Sequence, residues 1–105
     1  MNTIASDTTY DVLCVGAHPD DVEFTCAGTL ARLKQEAGCE LAIATATSGD
    51  CGSVQHRPDE IGRIRHGEAK AAADVLDAEY YAGRSMDLFI VYDDPTLRRF
   101  TEILR

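Results

Sequence analysis

The chain lacks most of the features that mark a membrane, nucleic-acid-binding or disulfide-stabilised protein. No apolar run approaches the roughly 20 residues of a membrane-spanning helix. Lys and Arg number 10 against 18 Asp and Glu, a formal charge of −8. That balance argues against a general affinity for nucleic-acid phosphates or anionic membranes, both of which need clustered basic residues. Residues 1–9 carry neither a basic n-region nor an apolar h-region, so they read as a frayed polar segment rather than a signal peptide, and a cytoplasmic location is expected. The four cysteines, Cys14, Cys26, Cys39 and Cys51, contain no C-x-x-C pair. This spacing excludes a zinc ribbon or knuckle. Cys14 and Cys26 read as small buried hydrophobes, and no disulfide framework is expected. No G-x-G-x-x-G follows the first apolar run, which excludes the dinucleotide-binding fingerprint. Internal repeats, low-complexity tracts and interdomain linkers are also missing.

What is present fits a single domain. The chain has 105 residues, 45% of them hydrophobic and 27% charged, ordinary values for a globular protein. Residues 10–17 form a nearly continuous apolar run, as expected of a strand buried on both faces of a parallel sheet. Cys26, Ala27, Leu30, Leu33 and Ala37 recur at helical spacing and predict a helix over 24–37, closed by Gly38. A second apolar strand is expected over 39–47. The polar, glycine-containing stretch 48–58 is long for a simple connection and reads as a functional loop. Asp59 is placed to cap a second helix, with Ile61, Ile64, Ala69, Ala72, Val75 and Leu76 inward. A third strand follows at 79–82, then an irregular connection over 83–93 in which residues 88–92 suit a further short strand. Asp94-Pro95 opens a third helix carrying Leu97, Phe100, Ile103 and Leu104 inward. The order β-α-β-α-β-α is that of an α/β doubly wound, Rossmann-like three-layer fold with a mostly parallel sheet. Ligands in such folds bind beyond the carboxyl ends of the strands. The pattern calls for another strand after the third helix, so residues 1–105 are expected to be the amino-terminal part of a longer domain.

The densest chemistry lies where the first strand gives way to the first helix, in Ala17-His18-Pro19-Asp20-Asp21-Val22-Glu23. His18 and Asp21 are three apart on a short turn, so an imidazole nitrogen and a carboxylate oxygen can converge on one ion. A mixed N/O pair suits zinc or another borderline divalent metal better than calcium or magnesium. Asp20, between them, is placed to act as general base towards a water activated by the metal. Pro19 restricts the turn. Glu23 is placed to accept a supporting hydrogen bond or to cap the first helix. The same composition also suits an acidic helix start beside a solvated histidine. His56 reads as a loop residue at the substrate entrance or a solvated side chain, with reach to the metal conceivable. His66 reads as an exposed helical residue. Arg65 and Glu68, at i and i+3, suit a surface ion pair.

With these residues in view, the chain resembles the LmbE-like or PIG-L family of zinc-dependent N-acetylglucosamine deacetylases. The likeness rests on A-H-P-D-D-V-E at 17–23, C-A-G-T-L at 26–30, T-S-G-D at 47–50, and R-H-G-E at 65–68 followed by A-A-A-D-V-L at 71–76. It implies that His18 and Asp21 are metal ligands, that Asp20 is the general base, and that Arg65 and Asp87 bind an amino-sugar substrate. It implies hydrolysis of an N-acetyl group by attack of metal-bound water. The chain departs from the family at 24–28, where Phe-Thr-Cys-Ala-Gly replaces Leu-Gly-Cys-Gly-Gly. The family's third ligand, a histidine from a later motif, has no match, nor has a downstream histidine that assists the oxyanion. The third ligand is therefore expected beyond residue 105, and these residues alone are expected to be inactive. Association into a homo-oligomer through open strand edges is compatible with the sequence. The alternative from another class is a receiver-like signalling domain, which binds magnesium through an acidic pair such as Asp20/Asp21 beside a phosphoacceptor aspartate on the third strand.

Overall fold

Burial organises the molecule around its middle strand, β2 (Leu41–Thr47). The computed structural model describes residues 9–51, 55–85, 87 and 90–105. In it β2 pairs in parallel with β1 (Val12–Gly16) on one side and β3 (Ala78–Ser85) on the other. Helices α1 (Asp21–Ala37) and α2 (Pro58–Val75) make the crossovers, and α3 (Asp94–Leu104) follows β3. The architecture is thus the α/β fold with a parallel sheet that the element order implies. No helix among the described residues is long and apolar enough to cross a membrane.

Alternation along β2 divides the core in two. Leu41 and Ile43 face one layer with Val22 and Leu30 of α1, Ala69 and Ala73 of α2, and Tyr80 and Ala82 of β3. Ala42 and Ala44 face the other layer with Tyr81, where Tyr10, Leu13 and Ile103 of α3 pack. Both faces of β2 are therefore covered, which is why its sequence is apolar without a period of two. β1 carries the same kind of sequence but has only one neighbouring strand among the described residues, and Val15 remains 54% exposed. Two-sided burial, expected for the first strand, is realised by the second.

Several element boundaries shift, each for a packing reason. α1 begins at Asp21 rather than at residue 24, because Val22 (2% exposed) heads the stripe Val22, Cys26, Leu30, Leu33 that packs on the sheet. Phe24 falls on the opposite side and is exposed. Gly38 closes α1 as expected, its N–H reaching the Lys34 carbonyl. α2 starts one residue before Asp59, at Pro58, with Arg57 as its capping position. Its buried row is Ile61, Ala69 and Ala73, at steps of four and eight. Ile64 and Val75, expected inward, are exposed because they lie off this row. The four-step row passes through Arg65, which points the guanidinium of that residue inward.

α3 is capped by Asp93 rather than Asp94: the Asp93 carboxylate accepts the Thr96 N–H at 3.0 Å. None of its residues is fully buried, and Leu97 and Leu104 are exposed. β3 extends past residue 82 to Ser85. Of the short strand expected over 88–92, residues 88 and 89 lie outside the described residues and 90–92 are not in a strand. The frayed segment expected at 1–9 lies outside them except for Thr9.

Gly83 sits beside the irregularity between Thr45 and Thr47 where the β2–β3 register shifts. A Cβ there would meet the Thr45 carbonyl oxygen at 2.5 Å, that of Ala46 at 2.6 Å and Phe100 at 2.9 Å. Two of these neighbours are backbone and cannot move aside. Gly83→Ala is expected to lower unfolding free energy by about 1–3 kcal/mol, measured by urea denaturation. Unchanged stability would show that β3 can slide away from β2 without loss.

Candidate active site

The carboxyl ends of all three strands meet at one edge, and the turn at 17–21 is stitched to it. The Thr47 N–H donates to the Ala17 carbonyl at 2.9 Å and the Thr47 hydroxyl does so at 3.0 Å, binding the end of β1 to the end of β2. The Ser48 N–H donates to the Ser85 carbonyl at 2.9 Å, which joins β2 to β3. These bonds place the His18 turn, residues 48–51 and Asp87 side by side.

Within the turn, the Asp21 carboxylate reaches back to accept the His18 N–H at 2.8 Å. The same Oδ2 stands 3.6 Å from His18 Nδ1. Two donors each about 2.0–2.1 Å from one tetrahedral zinc are roughly 3.3 Å apart, so this pair is spaced for a shared ion. Both side chains are about half-exposed and open to an incoming ion. The other ring nitrogen of His18, Nε2, lies 3.6 Å from Asp87 Oδ1. An imidazole that offers one nitrogen to a metal and the other to a carboxylate is the usual arrangement of a metal-ligating histidine.

Asp20 is the capping residue of α1 and has φ 96°, the left-handed region that costs a residue with a Cβ about 1–2 kcal/mol. Its side chain makes no capping bond. Arg65 holds it instead: Nη2 donates to Asp20 Oδ2 at 3.0 Å and to the Pro19 carbonyl at 2.6 Å. The second Asp20 oxygen has no protein partner among the described residues. Arg65 pairs with Asp20 rather than with Glu68, and no Arg65–Glu68 ion pair is present among the described residues. Gly49, at φ 72°, makes room for this arginine, since a Cβ there would fall 2.5 Å from Arg65 Nε. Glu23 lies in the first turn of α1, favourable for a carboxylate near a helix N-terminus. It lines a hollow of about 330 Å³ with Pro19, Asp20, Phe24, Arg65 and Glu68.

Asp87 is buried. Its two oxygens accept the N–H groups of Gly49 (3.0 Å) and Cys51 (3.1 Å), and its own N–H donates to Asp50 Oδ1 at 2.6 Å. Burial by itself pushes the carboxyl group up, but the Cys51 N–H, the Thr47 hydroxyl, the Gly49 N–H and His18 outweigh it and hold Asp87 below the ordinary carboxylate range. Asp50, Cys51 and Asp87 also bring one donor atom each within 4.8 Å of one another, a possible second metal-holding cluster among the described residues. The sequence marked 48–58 as a functional loop but did not single out Cys51 as a donor. The only available signal was its place directly after Asp50.

The remaining histidines divide. His56 pairs with Glu60 at 3.4 Å on the outer side of α2. His66, expected to be exposed, is half-buried with its ring edge-on to Tyr80 at 5.4 Å. It lines a cleft of about 410 Å³ with Thr47, Asp50, Pro58, Gly62 and Tyr80, a size suited to a small ligand.

Known proteins of similar sequence and fold place the chain in a family. The family model PIG-L, described as GlcNAc-PI de-N-acetylase, matches residues 13–105. The chain is 37% identical over 82 residues to a 1D-myo-inositol 2-acetamido-2-deoxy-alpha-D-glucopyranoside deacetylase of Nocardia farcinica, covering 70% of this chain and 27% of that protein. It is 45% identical over 66 residues to the uncharacterised deacetylase YaiS of Escherichia coli, covering 62% and 31%. Among solved structures, the N,N'-diacetylchitobiose deacetylase of Pyrococcus horikoshii superposes with a TM-score of 0.79 at 28% identity, over 89% of this chain and 36% of that one. The 4-carboxy-2-hydroxymuconate hydratase GalB of Pseudomonas putida does so with 0.75 at 25% identity, over 88% and 41%. The chain thus spans about a quarter to two fifths of the length of these proteins.

The double acceptor role of Asp87 is testable. Asparagine offers one carbonyl oxygen where the carboxylate offers two, so Asp87→Asn leaves one of two N–H groups without its partner, at a cost of about 1–3 kcal/mol. Amide exchange at Gly49 or Cys51 is expected to accelerate by roughly tenfold or more; unchanged rates at both would show that Asp87 does not anchor the loop. Protonation acts in the same sense. Because the folded-state pKa lies below the unfolded value, the stabilisation is present above the ordinary carboxylate range and is lost as pH falls through the depressed value.

Proposed function

This chain belongs to the PIG-L family, and from that premise we propose that it forms part of a metal-dependent deacetylase acting on an N-acetylglucosamine-type small molecule. The observation that carries the reading is the convergence of His18, Asp21 and Asp20 on one turn at the carboxyl edge of the sheet, with Asp20 held by Arg65. The names of the relatives and of the chitobiose deacetylase support the acetamide substrate. The hydratase neighbour shows that the scaffold also serves another reaction with water, so the site rather than the fold must decide the chemistry.

The donor set fits zinc or another borderline divalent ion, with His18 and Asp21 as two ligands. Such an ion supplies Lewis acidity, bringing the pKa of a water towards about 7 and polarising the amide carbonyl. Asp87 orients the His18 ring from its far side. Asp20 takes the proton of the attacking water through its free oxygen and returns it to the departing amine. Arg65 keeps Asp20 in its strained conformation and stands beside the hollow where substrate hydroxyls would enter. Asp87 retains a proposed substrate contact, since each oxygen keeps a second lone pair. Glu23 supports the turn from the first turn of α1. Catalytic zinc sites use three protein ligands. The third is proposed to come from sequence beyond Arg105, which would leave these residues alone with little turnover. Membership of one deacetylase domain, a cytoplasmic location and pairing of copies through open strand edges belong to the same proposal.

The receiver-like alternative needs a phosphoacceptor aspartate with accessible oxygens at the end of the third strand. Asp87 lies two residues past β3, but it is buried and both its oxygens accept backbone N–H groups. The family match leaves that reading without support.

Three substitutions separate the roles. In the longer protein, Asp20→Asn is expected to retain bound metal and to lose about 10²–10⁴-fold in acetate release. His18→Ala is expected to lose metal as measured by elemental analysis, whereas Cys51→Ser keeps it. Metal retained in His18→Ala but lost in Cys51→Ser would move the ion to the Asp50, Cys51 and Asp87 cluster.

A further inference from the structure

We propose that Cys14 and Cys26 form a reversible redox dithiol whose disulfide closes a covalent ring around the His18–Asp21 turn. The two sulfurs stand 3.2 Å apart, nearer than unbonded sulfurs settle without attraction. They come from different elements. Cys14 lies on β1 with Val12, on the face turned to α1, and Cys26 lies on the inward row of α1 between Val22 and Leu30. Each is half-buried and packs against the same core cluster. Neither side chain belongs to the candidate site, yet every residue of the catalytic turn lies between them in sequence. A bond between them would tie β1 to α1 and fix both ends of the turn.

The reaction needs an external oxidant, for which a small-molecule disulfide suffices. One cysteine thiolate attacks the small disulfide, forming a mixed disulfide and releasing one small thiol. The second cysteine then attacks the protein-side sulfur and releases the other. One sulfur–sulfur bond is exchanged for another, two electrons pass to the small molecule, and the two thiol protons end on the released thiols. Burial first, and then the Cys26 sulfur, push the Cys14 thiol up to about 11, which makes Cys14 the slower attacking thiol and a poor leaving group once bonded. Cys39 is the remaining half-buried cysteine and Cys51 the exposed one; each is the control for non-specific oxidation.

This inference is independent of the deacetylase reading, and its test needs no activity. The reduced full chain is incubated with oxidised glutathione, its free thiols are alkylated, and peptides are identified by mass spectrometry. The expected product joins the Cys14 and Cys26 peptides with loss of two hydrogens, and persists when Cys39→Ser and Cys51→Ser are combined. The crosslinked chain is expected to melt roughly 5 °C or more higher, with slower amide exchange over 17–21, and reductant reverses both. Cys14 and Cys26 both recovered alkylated, each carrying glutathione separately, or crosslinked to Cys39 or Cys51 would overturn the proposal. A crosslinked chain that melts no higher and exchanges no more slowly would overturn the clamp on the turn.

Discussion

Arg65 is the side chain through which α2 holds the turn at 17–21. One guanidinium nitrogen bonds both the Pro19 carbonyl and the Asp20 carboxylate. Asp20 has positive φ and no capping bond of its own, so an external partner is what keeps it there. The chain accommodates this contact in two places. Ala69 and Ala73, small residues on the same row, let α2 lie close to the sheet, and the missing Cβ of Gly49 leaves the passage through which the arginine reaches. A charge-assisted bond of this kind is worth more than an exposed pair because the arginine is largely withdrawn from water.

A second junction complements the first. Asp87 gathers the backbone N–H groups of the 49–51 segment and faces His18 from the side opposite Asp21. The imidazole is thereby flanked by two carboxylates, one in position to share an ion and one in position to orient the ring. Strand ends provide the frame for both junctions. Parallel β1, β2 and β3 all terminate at this edge, so residues distant in sequence arrive there together.

The legibility of the sequence varied with distance along the chain. β2 was readable because both its faces are covered, and α1 because Cys26, Leu30 and Leu33 repeat at helical spacing. The start of α1 was misplaced by three residues because its inward face was counted from Cys26, whereas Val22, one turn earlier, also lies inward. The inward row of α2 was misread as well. Ile64 and Val75 are more apolar than Ala73, yet it is Ala73 that lies on the row packed into the core cluster. His66 was taken for a surface residue, since nothing in its neighbourhood in sequence announces Tyr80.

The sequence by itself determined the order of strands and helices, the parallel α/β class, and the His18-Pro19-Asp20-Asp21 turn with its two convergent donors. These depend on contacts within about one helical turn or on strand periodicity, which spacing encodes directly. Only the tertiary structure decided what meets that turn: Arg65 on Asp20, Asp87 on His18, and Cys14 against Cys26. The first two contacts join residues 45 and 69 positions apart in the chain. They depend on which row of a helix faces the sheet and on where β3 ends, and no local pattern fixes either. Even Cys14 and Cys26, 12 residues apart, meet only because β1 and α1 fold back on each other across the turn they enclose.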